Sequence, residues 1–428
     1  MKITKQLIAL AIILSTAMGV MAQNTSSPYS RYGYGILSDN ATSTQRAMGG
    51  VGYAMNSGRQ INVMNPASYA SIDSLTFLFD MGISGTALWS EENGNHGSSF
   101  GGGLDYITMQ FPITKYMGAS IGLLPFSSVG YSFGNEIVNG SNSYEGFGGL
   151  NQLYAGLSGR LFNHLNIGVN ASFLFGTTVN DIYANTGNGG STLFERVTQV
   201  CDWRLQAGIQ YDFYIGANNK FTIGAVFTPE KKLLGETYGI KWDINNDEKP
   251  DTLGKTKTND KYSLPNCWGG GINYQWRDRL MVEADFTYQE WGKAKYSALE
   301  GFDSNDLGNS NERFDNRWEV SVGAQYTPRP RGNYFQRMKY RLGGFFNHDY
   351  QLIYTKDINN NSLKNNIIEY GVSAGVGLPI NGFKTMINIG LEYRHRQANP
   401  NPLIKEDYLN ITLGVNFNEM WFWKNKLR

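Results

Sequence analysis

Four oxygen-bearing side chains near the middle of the chain have the spacing of a calcium-binding loop. Asp243, Asn245 and Asp247 alternate with other residues, and Asp251 follows. Alternating carboxylate and amide oxygens are the ligands that Ca²⁺ takes in such loops. An acid, however, replaces the glycine that makes the sharp turn, and a glycine stands where the bidentate acid belongs. We therefore favour a solvated hairpin tip, and we predict neither a metal ion nor a cofactor.

The four histidines could supply the base of an embedded hydrolase, but their placement argues against one. His164 falls in a predicted short turn, and His96 and His348 fall in separate long loops. No spacing among these three or His395 would orient a base toward a nucleophile. We predict that the protein is not an enzyme.

Repeated alternation of apolar and polar residues identifies the elements that carry these side chains. Along residues 409–417 every odd position is apolar, and every even position is Asn, Thr or Gly. Residues 280–289 and 387–394 repeat the pattern. In a bilayer the apolar face of such a strand meets lipid, and the polar face lines a lumen. The sequence therefore predicts an all-β transmembrane barrel.

We count fourteen strands, an even number, as single-chain outer-membrane barrels require. They are predicted to begin near residues 75, 104, 116, 149, 164, 198, 219, 262, 279, 317, 338, 367, 384 and 407. Long polar loops are predicted around residues 88–102, 127–148, 179–197, 230–261, 291–316, 348–366 and 396–406. Short turns of such barrels face the periplasm and long loops face outside. Both termini are therefore predicted to be periplasmic, in a Gram-negative outer membrane.

Residues 1–22 are predicted to be a cleaved secretory signal. Lys2 and Lys5 precede an apolar run, and the run ends in small residues at Val20–Ala22, as a signal peptidase requires. The mature chain would begin near Gln23.

Composition excludes a nucleic-acid role and suits a barrel. The chain has 37 Lys and Arg against 36 Asp and Glu, so it lacks the basic surplus that phosphate backbones attract. Its 51 glycines fit crowded strands, and its 23 Phe, 26 Tyr and 9 Trp fit interfacial girdles. Cys201 and Cys267 are predicted to stay unpaired, because another strand separates them.

The barrel is predicted to span residues 75–417, with a plug, or hatch, at 23–74 and a tail at the periplasmic rim at 418–428. A barrel of this size is wider than its own side chains can fill, so something must occupy the lumen. We predict that hatch arginines dock against wall carboxylates, because pairing avoids a desolvation cost. The alternative is that water solvates each charge separately. The residues concerned are Arg31, Arg46 and Arg59 in the hatch, and Asp80, Glu283, Asp285, Glu319, Glu369 and Glu392 in the wall.

Two motifs just before the first strand resemble the FadL family of outer-membrane transporters. Residues 46–54 read Arg-Ala-Met-Gly-Gly-Val-Gly-Tyr-Ala, and residues 65–69 read Asn-Pro-Ala-Ser-Tyr. The resemblance implies a hatch-closed barrel of fourteen strands that carries long-chain fatty acids or other hydrophobic molecules into the outer-membrane lipid. The same family includes barrels that resemble carriers in a secretion pathway, where a protein client takes the place of the lipid. That alternative stays open for this chain, as does a purely structural role in the outer membrane.

The hatch motif Asn65-Pro66-Ala67 is predicted to form a tight turn with a positioning role, since proline fixes φ and asparagine bonds local backbone groups.

A proline inside the third strand predicts where the barrel wall opens. Pro125 lacks the N–H that a central strand needs, and parity points Leu124 and Phe126 inward. FadL-type transporters are similar, since their third strand kinks to make a lateral opening. The alternative is a harmless bulge where pairing ends at the outer rim.

Overall fold

The chain forms a closed antiparallel barrel of fourteen strands. The computed structural model describes residues 27–137, 140–186, 191–244, 251–259, 262–296, 314–356, 362–380 and 385–420. The barrel strands, in chain order, are β1 Thr76–Glu92, β2 Asn95–Thr114, β3 Met117–Ile137, β4 Gly140–Leu161, β5 Leu165–Thr186, β6 Ser191–Ile215, β7 Asn219–Thr228, β8 Cys267–Trp276, β9 Leu280–Gln289, β10 Arg317–Tyr326, β11 Lys339–Lys356, β12 Ser362–Ile380, β13 Thr385–Asn399 and β14 Lys405–Met420. Each strand pairs with the next, and β14 pairs with β1 to close the ring. The predicted fold class is confirmed.

Side chains alternate between the two faces of the wall as predicted. On β14, Ile411 and Leu413 are 55% and 40% exposed on the outer face, whereas Thr412 between them is 4% exposed on the lumen side. None of the helices in the described residues is long and apolar enough to span a bilayer.

Several segments predicted as long loops are continuations of the strands. A two-residue turn at Asn93–Gly94 joins β1 to β2. Strands β3 and β4 stay paired from Ile137 and Gly140 inward through the predicted loop 127–148. These extensions are rich in Gly, Ser and Asn, so they lack apolar alternation. Their backbone ladders nevertheless continue, because strand pairing needs no apolar face where both faces meet water.

The connection between β7 and β8 carries its own hairpin of Gly235–Ile244 and Asp251–Asn259, and the first of these strands pairs with β6. The predicted calcium-like loop lies at the tip of this hairpin, and Asn245 and Asp247 fall outside the described residues. Among the residues that are described, no cluster of His, Cys, Asp and Glu could hold a metal ion.

Residues 27–75 run through the lumen and form the hatch. The segment contains 3₁₀ turns at Pro28–Arg31 and Pro66–Ser71, a short strand at Ile36–Leu37 and one helical turn at Ser43–Arg46. Its first described residue lies at the long-loop end, where Ser27 N donates to Gly130 O (2.7 Å).

The hatch leaves the lumen at the opposite end, where Thr76 pairs with Met420 of β14. The first and last described residues therefore lie at opposite ends of the barrel, whereas the chain termini themselves, which were predicted to be periplasmic, fall outside the described residues. The sequence does not reveal the path of a segment that has no alternation of its own.

Wall glycines let the hatch backbone lie directly against the strands. A Cβ atom at Gly118 would sit 2.0 Å from Tyr69 O, and one at Gly224 would sit 2.0 Å from Tyr53 O. Real Cβ atoms do not approach so closely, so a side chain at either position would push the hatch off the wall. Part of the chain's high glycine content thus has a packing role.

Candidate functional site

Strands β2 and β3 separate partway up the wall. They pair from Thr114 and Met117 at the turn as far as Ile107 and Leu123, and not beyond. Further toward the long loops, β2 pairs only with β1 and β3 pairs with β4. We call this break, between the edges of β2 and β3 beyond Ile107 and Leu123, the seam. Within the described strands, every other neighbouring pair in the ring stays paired to within one residue of the long-loop end of at least one of its two strands.

The seam begins at membrane depth. Leu123 is the seventh residue of β3, counted from Met117, and a tilted strand needs roughly 9–11 residues to cross the hydrocarbon core. Pairing between β2 and β3 therefore ends below the outer rim, whereas the bulge at Pro125 and Ser127 lies close to the rim, so a bulge there stays an alternative explanation of the proline.

Both edges of the seam carry a β-bulge where they separate. On β2 the register shifts between Tyr106 and Leu104, so that Asp105 has no partner across from it on β1. On β3 the register shifts between Pro125 and Ser127, which leaves Phe126 as the extra residue. A bulge bends its strand and increases the local twist, so the two bulges together turn the edges apart.

The residues predicted to line the exit point inward, but two of the three pack against other groups. Leu124 is buried in a cluster with Ile61, Val63 and Tyr69 of the hatch. Phe126 belongs to a separate aromatic cluster described below. Only Pro125 borders the cavity at the seam.

The hatch connects the two edges of the seam. On the β3 side, Ile36 and Leu37 pair with Ser128 and Ser127 as a short antiparallel strand, and Ser38 N donates to Phe126 O (2.9 Å).

On the β2 side, Arg46 Nη1 lies 3.2 Å from Asp105 Oδ2, and Ser43 N donates to the Tyr106 hydroxyl (2.9 Å). Burial lowers the pKa of Arg46, but the nearby carboxylates of Asp105, Glu392 and Asp39 outweigh it and raise that pKa above its ordinary value. The arginine therefore stays charged beside Asp105.

A cavity of about 260 Å³ lies between the hatch and the seam. Residues of both edges border it, namely Gly102 to Asp105 on β2 and Pro125 and Ser128 on β3. The far wall is polar, with Glu392, Arg394, Asn410 and Thr412 among its residues. A second cavity of about 100 Å³ lies on the other side of the hatch segment 37–39, which borders both.

The predicted arginine contacts differ from those observed. Arg46 pairs with Asp105 rather than with Asp80, Glu283 or Glu392. The Arg59 guanidinium is 69% exposed and pairs with Asp73 of the hatch itself (3.2 Å). The Arg31 guanidinium lies 4.3 Å from the ring centre of Tyr144 on β4.

Two of the predicted wall carboxylates do bind the hatch, but they accept hydrogen bonds from its backbone N–H groups rather than pairing with its arginines. Gly52 N and Tyr53 N donate to Asp285 Oδ2 (2.6 and 3.0 Å), and Ala54 N donates to Glu283 Oε1 (2.8 Å).

The other four predicted wall carboxylates have neighbours in the wall itself. Glu319 pairs with Arg317 (2.5 Å), and Glu369 pairs with Arg394 (3.2 Å). Asp80 accepts hydrogen bonds from Tyr106 and Asn416. Glu392 pairs with Arg394 (2.8 Å). Parity placed these side chains in the lumen, but sequence could not identify their partners.

The Asn-Pro-Ala motif forms a turn between the hatch and the wall. Asn65 Oδ1 accepts from Ala67 N (3.0 Å), and Asn65 Nδ2 donates to Tyr53 O (2.7 Å) and Ile209 O (3.2 Å). Pro66 opens the 3₁₀ turn that leads toward β1. These contacts are to backbone groups and leave no polar atom of Asn65 directed at the cavities.

An aromatic cluster covers the lumen at the long-loop end, and sequence reasoning missed it. Its centre is Tyr34 of the hatch, and Trp291 and Tyr350 pack with ring centres 4.4 Å apart. Its other aromatic members are Phe126, Tyr262, Tyr296 and Phe314. These residues come from distant segments of the chain, so only the high aromatic content of the long loops hinted at the cluster.

The histidines do not form a catalytic arrangement. His395 Nδ1 lies 2.8 Å from Asp407 Oδ1 between β13 and β14, and His348 contacts the backbone of Asn316 and the side chain of Asn366. Both cysteines are free.

Comparison with known proteins identifies the family. The sequence model of the family described as BamG matches residues 3–428. The chain belongs to the BamG family. No curated protein sequence matches it significantly.

Solved structures of similar fold are FadL-type barrels. A Pseudomonas aeruginosa FadL homologue is 12% identical, with a TM-score of 0.62, over 89% of this chain and 99% of that one. The Ralstonia pickettii toluene transporter TbuX is 14% identical (TM-score 0.58, 89% and 98% covered). The P. putida toluene transporter TodX is 14% identical (TM-score 0.57, 90% and 99% covered). This BamG-family chain thus shares its fold with a FadL homologue and with two proteins that are named as toluene transporters.

Proposed function

We propose that the protein is an outer-membrane channel for long-chain fatty acids or similar hydrophobic molecules, which leave the lumen sideways through the seam. The observation that carries the proposal is that one cavity is bounded by both edges of the seam. Transfer of a hydrophobic molecule from an apolar site into water costs a free energy of about 0.8 kcal/mol per CH₂ group. Lateral passage into the bilayer avoids that cost. The fold shared with toluene transporters supports this class of ligand.

The hatch is the gate in this proposal. Its segment from Ile36 to Arg46 is bonded to β3 at one end and to β2 at the other. A molecule in the cavity can therefore reach the seam only when that segment moves. Orientation follows the general rule for such barrels, with the long loops outside.

A proline replacement tests the lateral path. Pro125→Val supplies an N–H and favours strand geometry, so we expect β3 to pair further with β2 and uptake to slow several-fold. Uptake of a fluorescent long-chain alcohol into cells would be measured, normalised to the amount of folded barrel. Pro379→Val is the matched control, since Pro379 pairs with Met386 on the far wall. If folded Pro125→Val protein imports the probe at the wild-type rate, the exit is not at the seam.

A second candidate function is the binding of an extended protein segment. Toward the long loops, the described edge of β2 from Asn95 to Tyr106 has no strand partner on its seam side. Such an edge can accept an added strand through main-chain hydrogen bonds. A protein that co-purifies in stoichiometric amount and cross-links to this edge would favour the second function, whereas co-purified small hydrophobic molecules would favour the first.

A further inference from the structure

The cavity at the seam has more carboxylates than guanidinium groups. Its lining contains Asp39, Asp105, Glu319 and Glu392, against Arg46 and Arg394. Each of these arginines already has a carboxylate neighbour, at 3.2 Å for Arg46 and at 2.8 Å for Arg394. No guanidinium of the lining is therefore left over for an anionic ligand.

Adjacent ion pairs do not reverse this balance. Arg317 lies 3.3 Å from Asp39 and 2.5 Å from Glu319, and Arg394 also lies 3.2 Å from Glu369. Arg396 is a second partner of Glu369 (3.6 Å) and also pairs with Asp349, so the extended network has six carboxylates to four guanidinium groups. The described residues around the cavity thus keep a formal surplus of two negative charges.

One buried hydroxyl of the wall is also without a partner. Thr412 is 4% exposed and borders the cavity, yet its Oγ1 makes no hydrogen bond to any described group. A buried hydroxyl without a hydrogen-bond partner is destabilising, because it has lost its water without gaining another partner. It lies on the polar wall that also presents Glu392 and Asn410, so a polar head group seated there would satisfy it.

The side of the cavity toward the seam carries apolar side chains beside the Arg46–Asp105 ion pair. Its apolar residues are Ile36 and Leu37 of the hatch, Leu104 of β2 and Pro125 of β3. Leu104 is 45% exposed on its strand. The cavity therefore has a polar wall at β13 and β14, whereas apolar side chains flank the Arg46–Asp105 pair where it meets the seam.

From this arrangement we infer that the cavity selects cationic amphiphiles, with an ammonium group near Glu392 and Thr412 and an alkyl chain directed at the seam. The inference rests on the proposed channel function and narrows its ligand class. A fatty-acid anion would meet a carboxylate surplus in a site of low dielectric, where like charges repel strongly. An uncharged head group would avoid that repulsion but gain no attraction.

Three probes of equal chain length test the inference: dodecylammonium, dodecanol and laurate. Binding to the purified full-length barrel and uptake into proteoliposomes would both be measured. We expect dodecylammonium to bind about tenfold or more tightly than laurate, which corresponds to ~1.4 kcal/mol, with dodecanol between them. Added salt should reduce the difference only in part, because buried charges are poorly screened.

A charge-removing variant locates the effect. Glu392→Gln should lower the ammonium-to-laurate preference about threefold or more, because it removes one negative charge from the polar wall. Asp407→Asn is the matched control, since Asp407 is on the neighbouring strand but its side chain is 40% exposed and contacts Tyr393 and His395. This control should leave the preference unchanged.

The outcomes separate the two proposals. Equal binding of all three probes, or tightest binding of laurate, would overturn the inference and leave the channel function standing. A lack of uptake of every probe would overturn both. A preference for dodecylammonium that is the same in Glu392→Gln and in wild type would place the selection outside this cavity.

Discussion

Arg46 and Arg59 illustrate how the burial of an ion pair determines what it contributes to holding the hatch in place. Both arginines are in the hatch, and each lies 3.2 Å from an aspartate. The side chains of Arg46 and Asp105 are 22% and 12% exposed, whereas those of Arg59 and Asp73 are 69% and 51% exposed. Exposed ion pairs contribute about 0–1 kcal/mol, and breaking a buried pair costs several times more because a charge stays uncompensated.

We therefore expect Arg46→Gln to loosen the hatch and Arg59→Gln to leave it in place. Loosening should appear as faster entry of small antibiotics into cells and faster proteolysis of residues 27–75 in the purified barrel. Arg59→Gln serves as the matched control, because it removes the same charge from the same segment. Equal permeability and equal protease resistance of the two variants would show that the Arg46–Asp105 pair does not hold the hatch.

The sequence predicted the inward-facing carboxylates Asp80, Glu283 and Glu392 but not Asp105, which binds Arg46. The reason is the bulge on β2, which shifts the parity of the strand at that position. Alternation along a sequence assigns faces only while the ladder is regular. The backbone hydrogen bonds of Gly52 to Ala54 with Asp285 and Glu283 were equally invisible, because no residue type marks a backbone donor.

At the scale of elements, the hatch segment Ile36–Leu37 is the part that must move if the seam is an exit. Leu37 and Ser127 are direct partners in the short antiparallel ladder with β3. Partners of this kind have Cα atoms about 4.5–5.5 Å apart, which falls within the range that a disulfide can bridge. A cysteine pair at these positions can therefore fix the hatch to β3 reversibly.

We expect oxidised Leu37→Cys/Ser127→Cys protein to import a long-chain alcohol several-fold more slowly than the same protein after reduction. The pair would be made in a Cys201→Ser/Cys267→Ser background, since both native cysteines are free. Val372→Cys/Tyr393→Cys is the control pair, because these residues are partners on the far wall. An unchanged rate in the oxidised hatch variant would mean that this segment need not move during uptake.

The number and type of the barrel strands could be predicted because a bilayer imposes a period-two pattern on each crossing strand. The ends of β3 to β6 and of β11 and β12 could not be predicted. Their ladders continue into water, where neither face of a strand must be apolar. The seam lies between these cases. Pro125 lies two residues beyond Leu123, where pairing with β2 ends, and the bulges that separate the two edges left no distinct signal in residue type.

At the scale of the whole molecule, the described chain begins and ends at opposite ends of the barrel. Ser27 is bonded to Gly130, which is thirteen residues beyond the start of β3 at Met117. That distance is roughly 40 Å of strand at about 3.3 Å per residue. If the chain is cleaved before Gln23, as the sequence predicts, four residues precede Ser27, and a chain of that length reaches at most about 14 Å. That reach is shorter than the distance to the end where β14 finishes beside Thr76.

This geometry predicts that the start of the mature chain lies on the same side of the membrane as the long loops, outside the cell. An epitope placed after Gln23 on a Gly/Ser spacer of about 12 residues, which reaches about 20 Å on average, should bind antibody on intact cells. The same epitope in the short turn at Phe162–His164 should bind only after the outer membrane is permeabilised. If both epitopes need permeabilisation, the N-terminal segment enters the lumen from the periplasm, and the hatch would have to be released toward that side. Labelling of intact cells would instead mean that the hatch enters the lumen from the outer face of the membrane. Movement of its first residues would then open the lumen beneath the aromatic cluster around Tyr34 before any opening at the seam.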